Sequence, residues 1–442
     1  MHQILQVCLL LCLCYLKPTD SSQHPLFYIY NWSESITNSF PDAYTHRRQH
    51  ITEEFARNYG VGPLVDAAQG LYHTHQYSLF STVLARLEES PYRTLDPAQA
   101  SLFFIPYDVG MDATARKRDG ALLKTGCPRS LEAIPLLHNS PYFAKYDGAD
   151  HFLLHSINQP MLFFMPERCR QIYELCLKCT KLCIDTYNPQ LFRELRVYPE
   201  MSTNWVSVPF PSNHHYSHTS QAVLEAPVAA SDHARWYDLV YVGTDHVSAK
   251  HNKLLRGILR RQCMRATDPV FFANSNSSSG QAEAEYGAKD KSSACWLGML
   301  GSHASETPHL FAARQKKEDP KISKADTEGT GAAAEKGKGE GGKTAGTSPY
   351  CHGRLCLMPG GDFPTRKAVL DAILCGCVPV TFQRVTAQEQ WPWHWVAKSG
   401  KSMADAATIY VNREEFIQHP TEQFASLLLL ARNASFLAKK RL

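Results

Sequence analysis

The 442-residue sequence lacks a large excess of charge of either sign. Its 46 Lys and Arg residues nearly balance 42 Asp and Glu residues, which leaves a formal net charge of +4. A surplus this small gives no reason to expect nucleic acid as a partner, and it is at most compatible with an acidic glycan. The length is sufficient for two domains of ordinary size.

Near its start, the sequence also lacks an apolar run of the ~20 residues that a membrane-spanning helix needs. Residues 4–16, ILQVCLLLCLCYL, have about the length of a signal-peptide core, although no Lys or Arg precedes them. Lys17, Pro18 and Asp20 close the run. We predict that residues 1–20 are a signal peptide or a short signal-anchor, with a buried helix as the alternative.

Two further features favour the lumen of the secretory pathway. Asn31, Asn276 and Asn433 each begin an Asn-x-Ser sequence that can accept an N-linked glycan. Fourteen cysteines, three of them in the apolar leader, fit an oxidising compartment. The other eleven are odd in number, so at least one has no partner within the chain.

One group of cysteines comprises Cys169, Cys176, Cys179 and Cys183. Cys176 and Cys179 have the C-x-x-C spacing of half a zinc site, but no second C-x-x-C or His pair lies at zinc-finger spacing. We therefore favour disulfides, whose partners the sequence does not assign. A zinc-dependent protein stays open as an alternative.

Large apolar residues are almost absent from residues 315–348, where Gly, Ala, Lys and Glu dominate. Such a stretch cannot bury enough apolar surface to order itself, so we predict a disordered insertion. The cost of lengthening a loop grows slowly with its length, which makes the insertion tolerable.

The sequence does contain a compact βαβ pattern at residues 355–382, LCLMPGGDFPTRKAVLDAILCGCVPVTF. Its predicted elements are a strand at 355–358, a helix with one buried face at 365–375 and a buried strand at 377–382. Gly360 and Gly361 in the intervening loop allow the backbone to approach a ligand closely.

This loop is suited to an anion such as a pyrophosphate, because a helix N-terminus presents free N–H groups and a positive dipole end. Arg366, in the predicted first turn, opposes the preference for acids at that end. Its position is explained if an anion lies between the Arg366 guanidinium and the helix N-terminus. The alternative is an ordinary α/β turn with a surface Arg.

In the N-terminal half, a predicted strand at 102–105 leads into Asp108 and Asp112. Ligands bind beyond the carboxyl ends of strands in open α/β sheets, so these acids lie where chemistry can occur. For Asp112, a solvated or capping role is the alternative.

Asp150 and His151 precede a second predicted strand at 152–155. A carboxylate can orient an imidazole and raise its basicity, so the pair offers a general base. Adjacent residues of a strand point to opposite faces, however, and the two need not touch. Structural hydrogen bonding is the alternative.

Several of these segments resemble the exostosin-like glycosyltransferases, glycosyltransferase family 47. The most specific is C-L-x-P-x-G-D-x-x-T-R followed by D-A-I-x-x-G-C-x-P-V, within residues 356–380. Residues 386–394 are most similar to the xyloglucan galactosyltransferase-like branch. The chain departs from the family at His75 and Ala149, where Asp and Arg are usual.

The resemblance implies an α/β fold of the GT-B type, in which two Rossmann-like domains face each other across a cleft. Residues 21–212 would form an acceptor-side domain, and residues 213–442 a nucleotide-sugar-binding domain that contains the insertion. Residues 202–211 would connect them.

The resemblance also implies an inverting transfer of a sugar, galactose or glucuronic acid, from a UDP-sugar to a glycan acceptor. No cofactor is required, and a divalent metal is permitted but not indicated. The general base is expected to be His151, Asp150 or Asp112. The expected nucleotide-sugar-binding residues are Gly243, Arg256, Gly360, Gly361, Asp362, Thr365, Arg366 and Asp371.

Asp371 resembles an acid that holds the ribose hydroxyls in other GT-B enzymes, although pairing with Lys367 one turn earlier is the alternative. Trp391, Trp393 and Trp395 are expected either to stack on sugars or to fill the core. By resemblance the protein is lumenal in the Golgi, where membrane attachment through the leader and an oligomer with a related transferase stay open. A non-catalytic, secreted glycan-binding protein is the competing interpretation.

Overall fold

The computed structural model describes residues 25–37, 45–46, 58, 60–66, 70–113, 115–116, 126–157, 166–185, 204–215, 235, 237–243, 247, 249–266, 295–299, 349–387, 390–391, 404–433 and 435–437. The predicted leader, the predicted insertion and Asn276 lie outside these residues. None of the described helices has the length and apolar character needed to cross a membrane.

The described residues of the N-terminal half form ten strands. They are β1 Phe27–Ile29, β2 Thr45–His46, β3 Leu64–Asp66, β4 Leu71–Tyr72, β5 Arg93–Thr94, β6 Leu102–Ile105, β7 Ala115–Arg116, β8 His151–His155, β9 Thr180–Cys183 and β10 Trp205–Ser207. Six of them form a parallel sheet in the order β10-β9-β8-β6-β1-β5. The pairs β2/β7 and β3/β4 are antiparallel.

Helices cover both faces of this first sheet. They are α1 Glu34–Thr37, α2 Leu79–Glu88, α3 Val109–Ala113, α4 Ser130–His138, α5 Pro141–Tyr146 and α6 Glu167–Leu175. Alternate residues of β6 enter different apolar clusters, with Phe104 in one and Phe103 and Ile105 in the other. Burial on both faces explains why this strand is a continuous apolar run.

The C-terminal half forms a second parallel sheet. Its strands are β11 Tyr237–Gly243, β12 Cys295–Met299, β13 Gly353–Met358, β14 Val378–Thr381 and β15 Ile409–Tyr410, and its helices are α7 Lys250–Ala266, α8 Lys367–Leu374, α9 Ala404–Ala407, α10 Arg413–Gln418 and α11 Pro420–Arg432. The strand order is β12-β11-β13-β14-β15.

Two parallel sheets confirm the predicted α/β class, whereas the arrangement of two domains across a cleft stays a prediction. One local expectation was wrong, and one predicted segment contains a strand that was not expected. Helix α8 begins at Lys367, so Arg366 is its N-cap rather than part of its first turn. Within the predicted connector at 202–211, Trp205–Ser207 pairs with β9 and is an edge strand of the first sheet.

Candidate functional site

The carboxyl ends of three neighbouring strands form a polar edge of the second sheet. Strand β11 ends at Gly243, β13 at Met358 and β14 at Thr381. Because these strands are parallel, their carboxyl ends meet at one edge, which is where ligands bind in such sheets. The loop after β13, residues 359–362, is called the glycine loop below.

Two side chains of α7 hold the glycine loop. Arg256 Nε donates to Gly360 O at 2.8 Å, and Asn252 Nδ2 donates to Gly361 O at 2.8 Å. Both side chains are buried. The structure therefore brings the predicted residue Arg256 against the predicted loop, although these residues lie in separate motifs.

Asn252 and Gln383 belong to this arrangement, and the sequence reasoning missed both. Gln383 Nε2 donates to Asn252 Oδ1 at 3.0 Å, which fixes the Asn252 amide toward the loop. Asn252 lies four residues before Arg256, so both occupy one face of α7, and this spacing is the signal that could have found it. Nothing in the local sequence indicates the role of Gln383.

Arg366 connects the ends of two strands. Its terminal nitrogens donate to Pro359 O at 3.3 Å and to Val242 O at 3.1 Å. A guanidinium has five N–H donors, so these two bonds use only part of its capacity within the described residues. The guanidinium thus lies between the ends of β11 and β13 with donors available for an anion.

Thr365 has a buried hydroxyl at the start of α8. The residue is 5% exposed, and its Oγ1 has no hydrogen-bond partner among the described residues. Burying an unpaired hydroxyl is unfavourable, and the helix N-terminus beside it also carries unpaired N–H groups. A ligand with oxygen atoms would satisfy both.

The other predicted residues differ in their surroundings. Asp362 is exposed at the end of the glycine loop. At Gly243, a Cβ atom would lie 2.6 Å from the Tyr241 hydroxyl, so any other residue would require the Tyr241 side chain to move. Tyr350 is buried beside this site, and burial raises its pKa to about 12 against the opposing effect of the Arg366 charge.

Asp371 is 4% exposed, and donors from this chain surround it. Its Oδ1 accepts from Ser212 Oγ at 2.7 Å and from Asn213 N at 2.8 Å. Its Oδ2 accepts from Lys367 Nζ at 3.1 Å and from Asn213 Nδ2 at 3.3 Å. The alternative of Lys367 pairing is thus confirmed, while the ribose-binding role stays a prediction.

The charged form of Asp371 is favoured over the neutral acid. Burial raises its pKa, but Lys367 and the hydrogen bonds from Asn213 and Ser212 outweigh that effect and hold the pKa below its usual value. The carboxylate therefore acts as an anion that holds residues 212–215, which we call the strap, against α8.

The strap also contacts the N-terminal half. Asn213 O accepts from Tyr72 N at 2.8 Å, and Asn213 Oδ1 accepts from Thr74 N at 3.2 Å. The Thr74 hydroxyl hydrogen-bonds with His215 Nε2 at 3.1 Å. Asn213 thus links residues beside the first sheet to a helix of the second.

Asp112, a predicted base, lies in a buried ion pair. Arg129 Nε lies 2.9 Å from Asp112 Oδ1, and its backbone nitrogen donates to Oδ2 at 3.1 Å. The Tyr107 hydroxyl donates to Oδ2 at 2.7 Å. Asp112 is 1% exposed, so these partners occupy a carboxylate that is away from solvent.

The side chains of Asp150 and His151 do touch. Asp150 lies in the turn before β8, so the rule that adjacent strand residues point to opposite faces does not apply to it. His151 Nδ1 lies 2.7 Å from Asp150 Oδ1, and Nε2 lies 2.8 Å from the Tyr30 hydroxyl. The Tyr30 hydroxyl also hydrogen-bonds with Ser140 at 2.8 Å. His151 stacks on Phe103 at 4.8 Å between ring centroids.

The position of this pair differs from that of Asp112. His151 is the first residue of β8, so the pair lies at the amino edge of the first sheet. Asp112 follows the carboxyl end of β6. The structure therefore does not bring the three candidate bases together.

Other polar residues line the carboxyl edge of the first sheet. Asp108 follows β6, His155 ends β8 and Asp185 follows β9, and all three are buried. His155 hydrogen-bonds with the Tyr173 hydroxyl. Burial, and then the Asp108 charge, raise the pKa of Tyr173. The sequence signal for these three residues is a polar residue at the carboxyl end of a buried strand. From the sequence, this signal was applied only to Asp108.

Residues 390–391 of the C-terminal half pack on this edge. Gln390 Nε2 donates to Asp185 Oδ1 at 3.4 Å, and Trp391 N donates to Ser207 Oγ at 3.0 Å. Trp391 is fully buried, so it fills the core, whereas Trp393 and Trp395 lie outside the described residues.

The positions that depart from the family pattern have local roles. His75 is buried, and its Nδ1 accepts from Tyr77 N at 3.1 Å in the turn before α2. Ala149 precedes Asp150 in the turn before β8. Asn31 and Asn433 are exposed, as glycan acceptors must be, and their modification stays a prediction.

Four disulfides lie in the described part of the chain. They are Cys127–Cys169, Cys263–Cys295, Cys351–Cys375 and Cys356–Cys377. The single group of three metal-ligating side chains found among the described residues is His214, Cys351 and Cys375. Two of its three ligands already share a disulfide, and the C-x-x-C segment contributes none.

Sequence comparison decides the family. The Exostosin GT47 domain matches residues 23–293, which is more than half of the chain. The chain belongs to the exostosin GT47 family. This result confirms the resemblance that the motifs around the glycine loop and the first sheet suggested.

Curated relatives of this GT47 chain come from Arabidopsis thaliana. A xyloglucan-specific galacturonosyltransferase is 23% identical over 379 residues, covering 82% of this chain and 43% of the relative. A probable xyloglucan galactosyltransferase is 22% identical, covering 77% of this chain and 48% of the relative. Another is 50% identical over 46 residues, or 10% of this chain and 11% of the relative. The chain spans less than half the length of each.

Proposed function

We propose that this GT47 chain is a glycosyltransferase that moves a sugar from a UDP-sugar to a hydroxyl of a cell-wall or extracellular polysaccharide, or of a glycoprotein glycan. Galactose or glucuronic acid is the proposed sugar, transferred with inversion of its anomeric centre. The relatives' names support a polysaccharide acceptor, since each names xyloglucan.

The observation that carries this proposal is the arrangement at the glycine loop. Arg366 lies between two strand ends, Arg256 supports the loop, and the Thr365 hydroxyl is buried without a partner among the described residues. Cationic and hydroxyl donors beside a helix N-terminus suit a diphosphate.

These groups would assist the reaction by stabilising the leaving group. As the bond between the sugar and UDP breaks, negative charge builds up on the diphosphate. Donors that are already fixed in place stabilise that charge without reorganisation in the transition state. The guanidinium of Arg366 and the N–H groups at the start of α8 supply such donors, so the proposal requires no metal and no further cofactor.

Inversion requires one base on the acceptor side, and Asp112, Asp150 and His151 remain the proposed candidates. Each has an internal partner in this structure: Arg129 for Asp112, and each other for Asp150 and His151. A base that acts on an acceptor must exchange such a partner for the acceptor hydroxyl.

The proposed location is the Golgi lumen in the secretory pathway. Four disulfides support an oxidising compartment. The proposal also includes attachment to the membrane through residues 1–20, which lie outside the described residues. It further includes assembly with a related transferase.

The decisive experiment measures binding of UDP and of a panel of UDP-sugars by calorimetry, for the wild type, Arg366→Ala and Arg261→Ala. Arg261 is exposed on α7 and serves as the matched control. We expect Arg366→Ala to weaken UDP binding about 10–100-fold, the effect of losing a charged hydrogen bond, and Arg261→Ala to leave it unchanged. Absence of binding to folded wild-type protein would overturn the UDP-sugar assignment.

A second candidate is a glycan-binding protein without turnover. The observation that favours it is the internal pairing of all three candidate bases, together with the altered residues His75 and Ala149. Incubation with the best-bound UDP-sugar and xyloglucan oligosaccharides separates the two. Product formation, with its anomeric configuration read by NMR, supports transfer, and binding without product supports the second candidate.

A further inference from the structure

Three buried cysteines have no disulfide partner in the described part of the chain, namely Cys176, Cys179 and Cys183. The other described cysteines form four disulfides. A chain with four disulfides folds under oxidising conditions, in which neighbouring thiols are readily joined. The question is whether any two of the three thiols are neighbours.

Cys176 and Cys179 are neighbours in the turn between α6 and β9. Cys176 is the C-cap of α6, and Cys179 N donates to Cys176 O at 3.1 Å. Both residues are fully buried, and after burial itself the neighbouring Cys176 thiol is the next cause that raises the pKa of Cys179. The two thiols are therefore near neighbours within one turn.

The backbone of this turn is held by side chains from outside it. Lys181 Nζ donates to Leu177 O at 3.2 Å and to Cys179 O at 2.9 Å. Asn204 Nδ2 donates to Leu177 O and to Lys178 O, each at 3.3 Å. These bonds fix the backbone of the turn that carries both thiols, which keeps the two side chains close together.

We propose that Cys176 and Cys179 form a fifth disulfide in the oxidised protein. Two S–H bonds break and one S–S bond forms, while two electrons and two protons pass to a disulfide-containing oxidant, which becomes a dithiol. The bond forms during folding, while the thiols still reach solvent, because both sulfurs are sealed from an oxidant once α6 packs on the sheet.

Cys183 is the residue that stays a thiol. Its Sγ donates to Asp185 O at 3.0 Å, so it has an acceptor of its own within β9 and its following turn. It is fully buried as well. This assignment accounts for the odd number of cysteines beyond the leader.

The proposed disulfide lies beside the network of Asp150 and His151. Cys179 Sγ lies 2.9 Å from the point where a Cβ atom would stand on Gly148, two residues before Asp150. The bond would tie the end of α6 to the turn before β9, at the amino edge that also carries His151. It would stiffen the surroundings of that network, whatever reaction the protein performs.

Peptide mapping tests the proposal on the wild-type full chain. The protein is purified without reductant, alkylated with iodoacetamide in denaturant and digested with trypsin without reduction. Cleavage after Arg170, Lys178, Lys181 and Arg193 separates the three cysteines into residues 171–178, 179–181 and 182–193. We expect 171–178 and 179–181 as one species, two hydrogens lighter than their sum, and 182–193 alkylated at Cys183.

Two outcomes would overturn the proposal: separate alkylated peptides 171–178 and 179–181, or a bridge from either peptide to 182–193. A reduced and alkylated sample, which yields three separate peptides, verifies the assignment of masses. Cys183→Ser is the matched control and should retain the linked species. Because the decisive sample is the wild type, the test does not depend on how a variant folds.

Discussion

The Asp371 carboxylate lies 2.8 Å from the backbone nitrogen of Asn213, across the junction between the two halves of the chain. Asn213 in turn accepts a hydrogen bond from Tyr72 N. One acid of the family motif therefore fixes the strap on α8, and the strap contacts the N-terminal half. A ribose that bound Asp371 would have to displace donors that now occupy both of its oxygens.

The first prediction concerns Asp371→Asn. Removing one partner of a buried ion pair leaves the Lys367 charge uncompensated, so we expect a loss of about 3–5 kcal/mol in the free energy of unfolding. Ser212→Ala removes one hydrogen bond and should cost about 1 kcal/mol. Urea denaturation of both single variants and of the double variant measures these losses. The loss of unfolding free energy in the double variant should be smaller than the sum of the two single losses.

Binding data on the same variants separate the two roles of Asp371. If it anchors the strap, Ser212→Ala should weaken UDP binding in the same direction as Asp371→Asn. If it holds ribose, Asp371→Asn should weaken binding of UDP but not of pyrophosphate, with the unfolding free energy nearly unchanged. The latter result would contradict the anchor role.

The second prediction is a pH dependence set by His215. Burial lowers its pKa from 6.5 to about 4, with the Lys367 charge acting in the same direction and the Asp371 charge opposing it. The unfolded chain therefore binds a proton at higher pH than the folded chain. Stability from this group is complete above about pH 6.5 and is lost as the pH falls toward 4, by up to about 3 kcal/mol.

His215→Gln tests this pH dependence, because Gln retains a hydrogen-bonding group without a titration. Urea midpoints measured at several pH values between 7 and 4 should fall less steeply in the variant than in the wild type. Equal slopes would show that another group controls the acid sensitivity.

The local elements could be predicted because their signals are local. The apolar run, the two glycines and the helical stripe of residues 355–382 indicate β13, α8 and β14 to within two residues at each end. The start of α8 was misplaced by two residues, since Arg366 has an extended backbone that no local pattern reveals. Such boundary errors follow from the frayed nature of helix ends.

The partners of each side chain could not be predicted, because they come from distant segments. Gln383 reaches Asn252, and Ser212 reaches Asp371, through contacts that only the fold creates. Strand alternation suggested that Asp150 and His151 need not touch, because adjacent strand residues point to opposite faces. That rule does not apply here, because Asp150 lies in the turn that precedes β8.

The third prediction compares two adjacent glycines of the glycine loop. A Cβ atom at Gly360 would lie 2.5 Å from Asn252 Nδ2, which is itself held by hydrogen bonds. At Gly361 the nearest atom, Arg256 Nη2, would be 3.4 Å away, an ordinary contact. We expect Gly360→Ala to lower the melting temperature and Gly361→Ala to leave it nearly unchanged.

The affinity of Gly361→Ala for UDP then tests whether the nucleotide binds at the glycine loop. If the diphosphate approaches the backbone at Gly361, the added methyl group should weaken binding about tenfold or more while the melting temperature holds. Unchanged affinity in Gly361→Ala would place the nucleotide elsewhere.

The fourth prediction decides between structure and catalysis for Asp112. Asp112→Asn leaves the buried Arg129 charge without its partner, so we expect a loss of about 3–5 kcal/mol in the free energy of unfolding. Arg129→Met should destabilise the protein comparably, because it leaves the carboxylate without its partner instead.

A catalytic base would behave differently. Asp112→Asn would lower kcat by about 100-fold or more and remove the acidic limb of its pH profile, while Arg129→Met would retain that limb. Parallel losses of stability in both variants, with the shape of the pH profile preserved in Asp112→Asn, would assign Asp112 to the fold.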